Sequence, residues 1–236
     1  MTALIEALGL HTFYGASHVL HGVDFAIEPG ETVALLGRNG MGKTTLLRSL
    51  LGLTPPRRGT VRINGADMTG AKPYLIARKG IAFVPEGRGI FPDLSVREHL
   101  ELAARPARDG KAPWNVARVF ATFPRLYERR SLGGAQLSGG EQQMLTIGRA
   151  LMANPDLVIL DEATEGLAPV VAREIWAIVR ALKQAGIAAV IVDKNFAAVS
   201  RIADRAVILV KGAVAFAGPF AALKSEPELL RRHLGV

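Results

Sequence analysis

Hydrophobic residues in the first third of the chain fall in short runs that turn signals such as Pro-Gly and Asn-Gly separate. Apolar runs of this length predict β-strands. The predicted strands are residues 4–10, 19–27, 32–36, 61–63 and 81–84. Residues 44–53 instead repeat apolar positions every three to four residues, which predicts a helix directly after the third strand.

The middle of the chain has a different pattern. Between residues 95 and 152 the spacing is helical and strand signals are absent. Helices are predicted at residues 95–105, 112–123 and 140–153, and the two loops between them at 106–111 and 124–136. This segment is therefore expected to form a helical lobe inserted into the rest of the fold.

Alternation of strands and helices returns after the middle segment. Strands are predicted at residues 157–160, 187–192 and 206–210, and a helix at 170–184 begins next to Pro169. Strand–helix–strand order predicts an α/β fold with a mainly parallel sheet and right-handed crossovers.

A complete phosphate-loop motif, G-x-x-x-x-G-K-[ST], lies between the third strand and its helix. Glycines let backbone N–H groups turn towards phosphate oxygens, and the helix N-terminus adds unpaired donors. We expect Lys43 to reach the β and γ phosphates, Thr44 to bind Mg²⁺ and Thr45 to donate to the α phosphate of ATP. The predicted nucleotide-binding positions of this loop are Gly37, Asn39, Gly40, Gly42, Lys43, Thr44 and Thr45.

Two carboxylates, Asp161 and Glu162, end the strand at 157–160. Ligands of open α/β sheets lie beyond the carboxyl ends of the strands. Asp161 can therefore approach Mg²⁺ through water, and Glu162 can polarise the water that attacks the γ phosphate. Two carboxylates that merely close a strand are the alternative, and the phosphate loop argues against it.

The segment 136–142 precedes a predicted helix and contains Ser138 and Glu141 at the spacing of a capping box. Gly139 and Gly140 are expected to leave this helix N-terminus bare, which favours anion binding. One chain with two phosphate-facing helix ends indicates a nucleotide shared between two copies.

With its motifs at 37–44, 137–142 and 160–162 in this order, the sequence closely resembles the ATP-binding-cassette (ABC) family over nearly its whole length. The resemblance implies one P-loop NTPase domain, 1–236, with an antiparallel N-terminal β subdomain. Its core comprises 1–86 and 156–236, and its helical subdomain 87–155. Two such domains pair head to tail, so Ser138, Gly139 and Gly140 of one copy cover the ATP of the other, while Tyr14 stacks on adenine.

Residues 84–92, 123–126, 166–169 and the Leu-Gly-Val end resemble one branch of that family, the shorter ATPase of high-affinity branched-chain amino-acid importers. The same branch serves amide and urea importers. The resemblance places Glu86 where the wider family senses Mg²⁺ and the γ phosphate, and it implies that residues 86–99 touch the permease.

Two positions depart from the family pattern. Ala163 replaces the proline that commonly follows the acidic pair, and Lys194 replaces the switch histidine. Lys194 has two open alternatives, donation to the γ phosphate or exposure to solvent. We predict that Lys194→Ala alters turnover more than nucleotide affinity. A different partner ATPase could carry the histidine, so both a heterodimer and, in isolation, a homodimer are open.

Composition narrows the functions, locations and partners that remain open for this chain. The 236 residues contain no cysteine, have a formal net charge of +8 and show no stretch long enough to span a membrane. The expected location is the cytoplasmic face of the membrane through permease subunits, with a periplasmic or extracellular substrate-binding protein as an indirect partner. The charge leaves a nucleic-acid-acting ABC ATPase open, but with only 6% aromatic residues nucleic acid is not expected as a partner. The segment 137–141 argues against a small P-loop kinase or GTPase.

Overall fold

The computed structural model describes residues 2–107 and 113–234. Ten strands lie within these ranges: β1 Ile5–Tyr14, β2 Ser17–Ile27, β3 Thr32–Leu36, β4 Arg58–Ile63, β5 Ala66–Asp67, β6 Ile81–Val84, β7 Leu157–Asp161, β8 Ala188–Val192, β9 Arg205–Val210 and β10 Ala213–Pro219. The α-helices of the same ranges are α1 Lys43–Leu50, α2 Pro73–Ala77, α3 Val96–Ala103, α4 Val116–Thr122, α5 Pro124–Glu128, α6 Gly139–Met152, α7 Pro169–Gln184, α8 Phe196–Val199, α9 Phe220–Lys224 and α10 Pro227–His233.

The strands form two sheets. The first is antiparallel, with the order β2-β1-β4-β5, and contains most of the N-terminal strands. The second has the order β10-β9-β3-β8-β7-β6 and is parallel except for its antiparallel β9–β10 edge. The predicted mainly parallel sheet is therefore confirmed, and β3 and β7, which carry the phosphate loop and the acidic pair, both lie within it.

Two hydrophobic clusters cover the two faces of the larger sheet. Side chains of a strand point alternately to opposite faces. In β3, Ala34 and Leu36 belong to one cluster, whereas Val33 and Leu35 belong to the other. Because both faces of the sheet are buried, its strands read as continuous apolar runs in the sequence.

The first helix ends earlier than the sequence predicted. The prediction extended to residue 53, but α1 ends at Leu50, and Gly52 has a positive φ of 69°. A Cβ on Gly52 would lie 2.2 Å from the carbonyl oxygen of Ala71. The chain therefore turns at a position where only glycine fits, and this long-range contact is invisible in the local spacing.

The middle segment is helical as predicted, with one correction. The predicted loop 124–136 contains the helix α5 and one turn of 3₁₀ helix at Gly134–Gln136. Pro124 begins α5, because proline fits the first helical turn as well as a loop. Residue 112, the predicted start of the second helix, and most of the loop 106–111 lie outside the described residues, and α4 begins at Val116 after the capping residue Asn115.

The C-terminal part contains elements that the sequence did not predict. β10 pairs with β9, and α9 and α10 follow it. Most side chains of β10 are exposed, so the strand has no apolar alternation to reveal it. In the described parts of the chain, no helix combines the length and the apolar character needed to cross a membrane.

Candidate nucleotide site

The phosphate loop connects the end of β3 to the start of α1, as predicted. Its three glycines have positive φ angles, 141° at Gly37, 77° at Gly40 and 102° at Gly42. A Cβ on Gly37 would lie 2.5 Å from the carbonyl oxygen of Leu209 in the neighbouring strand β9. The loop therefore follows a backbone path that only glycines can take close to β9, while Asn39 and Gly40 remain exposed at its tip.

Lys43 is buried at the centre of this loop, with 9% of its surface exposed. Its Nζ donates to the carbonyl oxygens of Gly37 and Arg38 at 2.8 and 3.1 Å. Burial lowers the pKa of Lys43, and the nearby carboxylates of Glu162 and Asp161 oppose this shift. The ammonium group is thus held inside the curve of the loop, at the place where a phosphate-binding cation is needed.

Asp161 ends β7 and is 3% exposed. Burial raises the pKa of its carboxyl group, and a hydrogen bond from the Thr44 side chain opposes the shift. Its Oδ1 is buried without a hydrogen-bond partner among the described residues. A buried, unsatisfied carboxylate oxygen beside a hydroxyl is a fitting donor set for Mg²⁺, which prefers oxygen ligands.

Glu162 follows directly and adopts a left-handed backbone conformation with φ 51°. Its N–H donates to the carbonyl oxygen of Val192 at 2.7 Å, so the residue is fixed where β7 and β8 end side by side. A hydrogen bond with Glu165, together with burial, raises the pKa of Glu162 to about 7. Carboxylate oxygens of Glu86, Glu162 and Glu165 all lie within 4.8 Å of one another. The structure therefore brings Glu86 close to Glu162 of the acidic pair, and its predicted role towards Mg²⁺ and the γ phosphate stays a prediction.

Lys194 lies between these carboxylates. Its Nζ is 3.5 Å from Glu162 Oε2 and forms an ion pair with Glu165 Oε1. Lys194 is exposed, as one of the two alternatives expected, and it also contacts the carboxylates of the acidic centre; its donation to the γ phosphate stays a prediction. Sequence reasoning missed Glu165. The Glu-x-x-Glu spacing was the available signal, because residues three apart come together in a turn. Here the Glu165 N–H donates to the Glu162 carbonyl oxygen at 3.1 Å, which brings Glu165 back beside Glu162.

Ser138 caps α6 as predicted. Its N–H donates to Glu141 Oε2 at 2.8 Å, and the Glu141 N–H donates to Ser138 Oγ at 3.3 Å. The two glycines that follow are less bare than expected. A Cβ on Gly139 would meet the Arg88 guanidinium at 2.9 Å, and one on Gly140 would meet Val171 at 2.8 Å. Gly140 is therefore needed for packing against Val171, whereas at Gly139 the flexible Arg88 side chain could move aside.

The loop after Glu86 is attached to α6 by several hydrogen bonds. The Thr146 hydroxyl donates to the Arg88 carbonyl at 2.9 Å, and Arg88 Nη1 donates to Gln142 at 3.2 Å. Buried His99 holds the same loop, because its Nε2 accepts from the Phe91 N–H at 2.9 Å. The segment that contains Glu86 and the segment that contains Ser138 thus form one connected unit.

Two predicted binding elements form no hydrogen bond or ion pair with the phosphate loop within the described residues. Tyr14 is exposed at the end of β1. The hydrogen bonds and ion pairs of Ser138, Gly139 and Gly140 within residues 2–107 and 113–234 do not include the phosphate loop. One chain therefore assembles the loop, Asp161, Glu162 and Glu86, and the Ser138 segment is not hydrogen-bonded to this group in the described residues.

Comparison with known proteins shows which family the sequence and the fold of this chain resemble. The sequence profile of the ABC transporter family matches residues 20–165. The chain is 39% identical to the high-affinity branched-chain amino acid transport ATP-binding protein BraG of Pseudomonas aeruginosa, over 95% of this chain and 96% of that protein. It is 33% identical to the Nod factor export ATP-binding protein I of Burkholderia lata, over 95% of this chain and 74% of that protein. A solved ATP-binding subunit of an ABC transporter superposes with a TM-score of 0.83 at 32% identity, covering 96% of this chain and 94% of that one.

Proposed function

The chain belongs to the ABC transporter family as an ATPase that powers transport, and from that premise we propose that it is the MgATP-hydrolysing subunit of a branched-chain amino-acid importer. One observation carries the hydrolytic part of the proposal. The buried Lys43, the unsatisfied Oδ1 of Asp161 and the carboxylate of Glu162 converge at the carboxyl ends of β3 and β7, the two strands that flank β8. The importer assignment is supported by the end-to-end similarity to BraG, which exceeds the similarity to the Nod factor export protein of Burkholderia lata in identity and in the share of the relative that is matched.

Each residue of this centre has a chemical task. Lys43 and the loop amides bind the phosphates, whose charge offsets the cost of burying the ammonium group. Thr44, Asp161 and Glu86 would hold Mg²⁺, which supplies charge neutralisation at the β and γ phosphates. Glu162 accepts a hydrogen bond from the attacking water and orients it towards the γ phosphate. Phosphoryl transfer requires little more than this positioning and charge stabilisation.

A second copy completes the site in this proposal. Gly139 and Gly140 bring backbone donors of α6 to the surface beside exposed Ser138, but the phosphate loop of the same chain is not among their hydrogen-bond partners in the described residues. In the proposed head-to-tail pair, Ser138, Gly139 and Gly140 of one copy cover the ATP of the other. Tyr14 is proposed separately as the residue that stacks on adenine. ATP then joins the two copies, and hydrolysis separates them. Both a homodimer and a heterodimer with a second ABC ATPase fit this geometry.

Permease subunits are the proposed membrane partners, which would keep the chain at the cytoplasmic face of the membrane. A cavity of about 870 Å³ lies between the core and the helical segment, and Tyr74, Gly89 and Arg149 contribute to its lining. Exposed Phe91 lies beside it, with its ring 5.2 Å from the Arg149 guanidinium. A short permease segment would insert here and contact residues 86–99. A substrate-binding protein would act on the other side of the permeases.

The test uses Glu162→Gln, which keeps the shape of the side chain and removes its charge. We expect this variant to bind MgATP and to accumulate as an ATP-bound dimer in sedimentation experiments, whereas Lys43→Ala does not. The cargo is identified in two steps. The chain is first co-purified with permease subunits, and ATP-driven uptake of amino acids, amides and urea is then measured in vesicles that contain the complex. Absence of magnesium-dependent ATP binding by the wild type would refute the proposal, and salt-sensitive binding to RNA or DNA would favour the nucleic-acid alternative.

A further inference from the structure

Lys194 bridges two carboxylates whose surroundings differ. Glu162 is held by its backbone bond to Val192, and only 15% of its side chain is exposed. Glu165, in the turn that follows, and Lys194 are open to solvent, with 41% and 55% of their side chains exposed. The lysine is therefore the most exposed member of the trio. It sits on a flexible four-carbon stem, and Glu162 is the fixed member.

The ion pair between Lys194 and Glu165 is the closer of the two contacts of the lysine, but both of its side chains are exposed to solvent. Solvent-exposed pairs contribute little free energy, because water screens both charges and both side chains lose rotamer freedom. A terminal phosphate bound beside Lys43 and Glu162 carries more negative charge than one carboxylate. It would compete for the Lys194 ammonium group with Glu165, whose hold on that group is exposed to solvent.

The same ion pair affects Glu162. With Lys194 3.5 Å from its Oε2 and Glu165 hydrogen-bonded to it, the Glu162 carboxylate is partly occupied by groups other than a water molecule. A carboxylate in that arrangement is a poorer acceptor for an attacking water. Departure of Lys194 towards a phosphate would free Glu162 and neutralise charge on the phosphoryl group in a single movement.

We infer that Glu165 is a positioning residue that holds Lys194 against Glu162, and that Lys194 leaves Glu165 for the terminal phosphate when ATP is hydrolysed. The inference rests on the proposed function, since it assigns a regulator to the same hydrolytic centre. Glu165 touches neither nucleotide nor water in this scheme. It slows the reaction mainly by competing with the phosphate for Lys194, and its own hydrogen bond with Glu162 adds to this effect.

The experiment compares Glu165→Gln in two backgrounds. In the otherwise wild-type chain, removal of the charge should raise kcat about two- to fivefold, the range set by the strength of an exposed ion pair, with KM for MgATP nearly unchanged. In the Lys194→Ala background the same substitution should raise kcat by a smaller factor, because only the direct hydrogen bond between Glu165 and Glu162 is then lost. Glu165→Asp keeps the charge and should return turnover towards the wild-type value.

A matched control is available on α7. The Glu174 side chain is 38% exposed and pairs with Arg125 at 2.9 Å, so Glu174→Gln removes a comparable surface ion pair that does not involve Lys194 and should leave kcat unchanged. The inference would be overturned if Glu165→Gln changed kcat by the same factor in both backgrounds. It would also be overturned if Lys194→Ala altered kcat while Glu165→Gln left kcat at the wild-type value. A wild-type chain that fails to bind MgATP at all would instead refute the proposed function, which separates the two failures.

Discussion

Gly37→Ala tests the claim that the phosphate loop depends on one close approach of backbone to backbone. The added methyl group would lie 2.5 Å from the carbonyl oxygen of Leu209, and the φ of 141° is a conformation that residues with a Cβ rarely adopt. Since Leu209 belongs to a strand buried in the large sheet, the loop must move rather than the strand.

The magnitude follows from two contributions. Forcing an extra carbon into a filled space costs about 1–3 kcal/mol, and the unfavourable backbone conformation costs about 1–3 kcal/mol more. We expect a total loss near 4 kcal/mol in the free energy of unfolding. For a chain of this size that corresponds to a fall in Tm of roughly 10 °C. Displacement of the loop also moves the amides that bind phosphate, so the affinity for ATP should fall together with stability.

Gly40→Ala is the matched control, because Gly40 lies in the same loop with a positive φ of 77° but a Cβ there meets nothing within 4 Å. It should lose only about 1 kcal/mol, the cost of a left-handed alanine. Urea unfolding gives both stabilities, and fluorescence titration with a labelled ATP gives both affinities. Equal losses in the two variants would refute the argument, because the Leu209 contact would then contribute nothing.

Three further predictions concern the hydrolytic centre and its support. Lys194→Ala should change kcat more than KM for MgATP in a steady-state ATPase assay, and equal rates in mutant and wild type would exclude Lys194 from the mechanism. Since a raised pKa of about 7 keeps Glu162 protonated at lower pH, kcat/KM should rise with pH through about 7, and a flat profile between roughly pH 6 and 8 would contradict that role. Buried His99 accepts from the Phe91 N–H and donates to the Ser95 carbonyl at 2.8 Å, so His99→Ala should lower the free energy of unfolding by about 2–4 kcal/mol in urea titrations, and an unchanged unfolding midpoint would contradict it.

Local pattern was sufficient where one strand or helix carries its own signal. The strands at residues 32–36 and 81–84 have the predicted boundaries, because both faces of these strands are buried and the apolar run ends at Gly37 or Pro85. The strand β10 was not predicted, because most of its side chains are exposed and show no apolar run. The helix α5 was predicted as a loop, because the proline that begins it is also typical of loops.

The sequence by itself determined that a phosphate loop, an acidic pair and a Ser-Gly-Gly segment exist in this chain, because each of these motifs is continuous in the chain and its chemistry follows from its residues. Only the tertiary structure decided which of them meet. Parallel pairing of β7 with β8 sets Glu162 beside Val192, and folding of the 162–168 turn brings Glu165 and Lys194 together across 29 positions of sequence. The physical reason is that such contacts depend on which strands end side by side at one edge of the sheet. The periodicity of hydrophobic residues along the chain does not predict this order of strands.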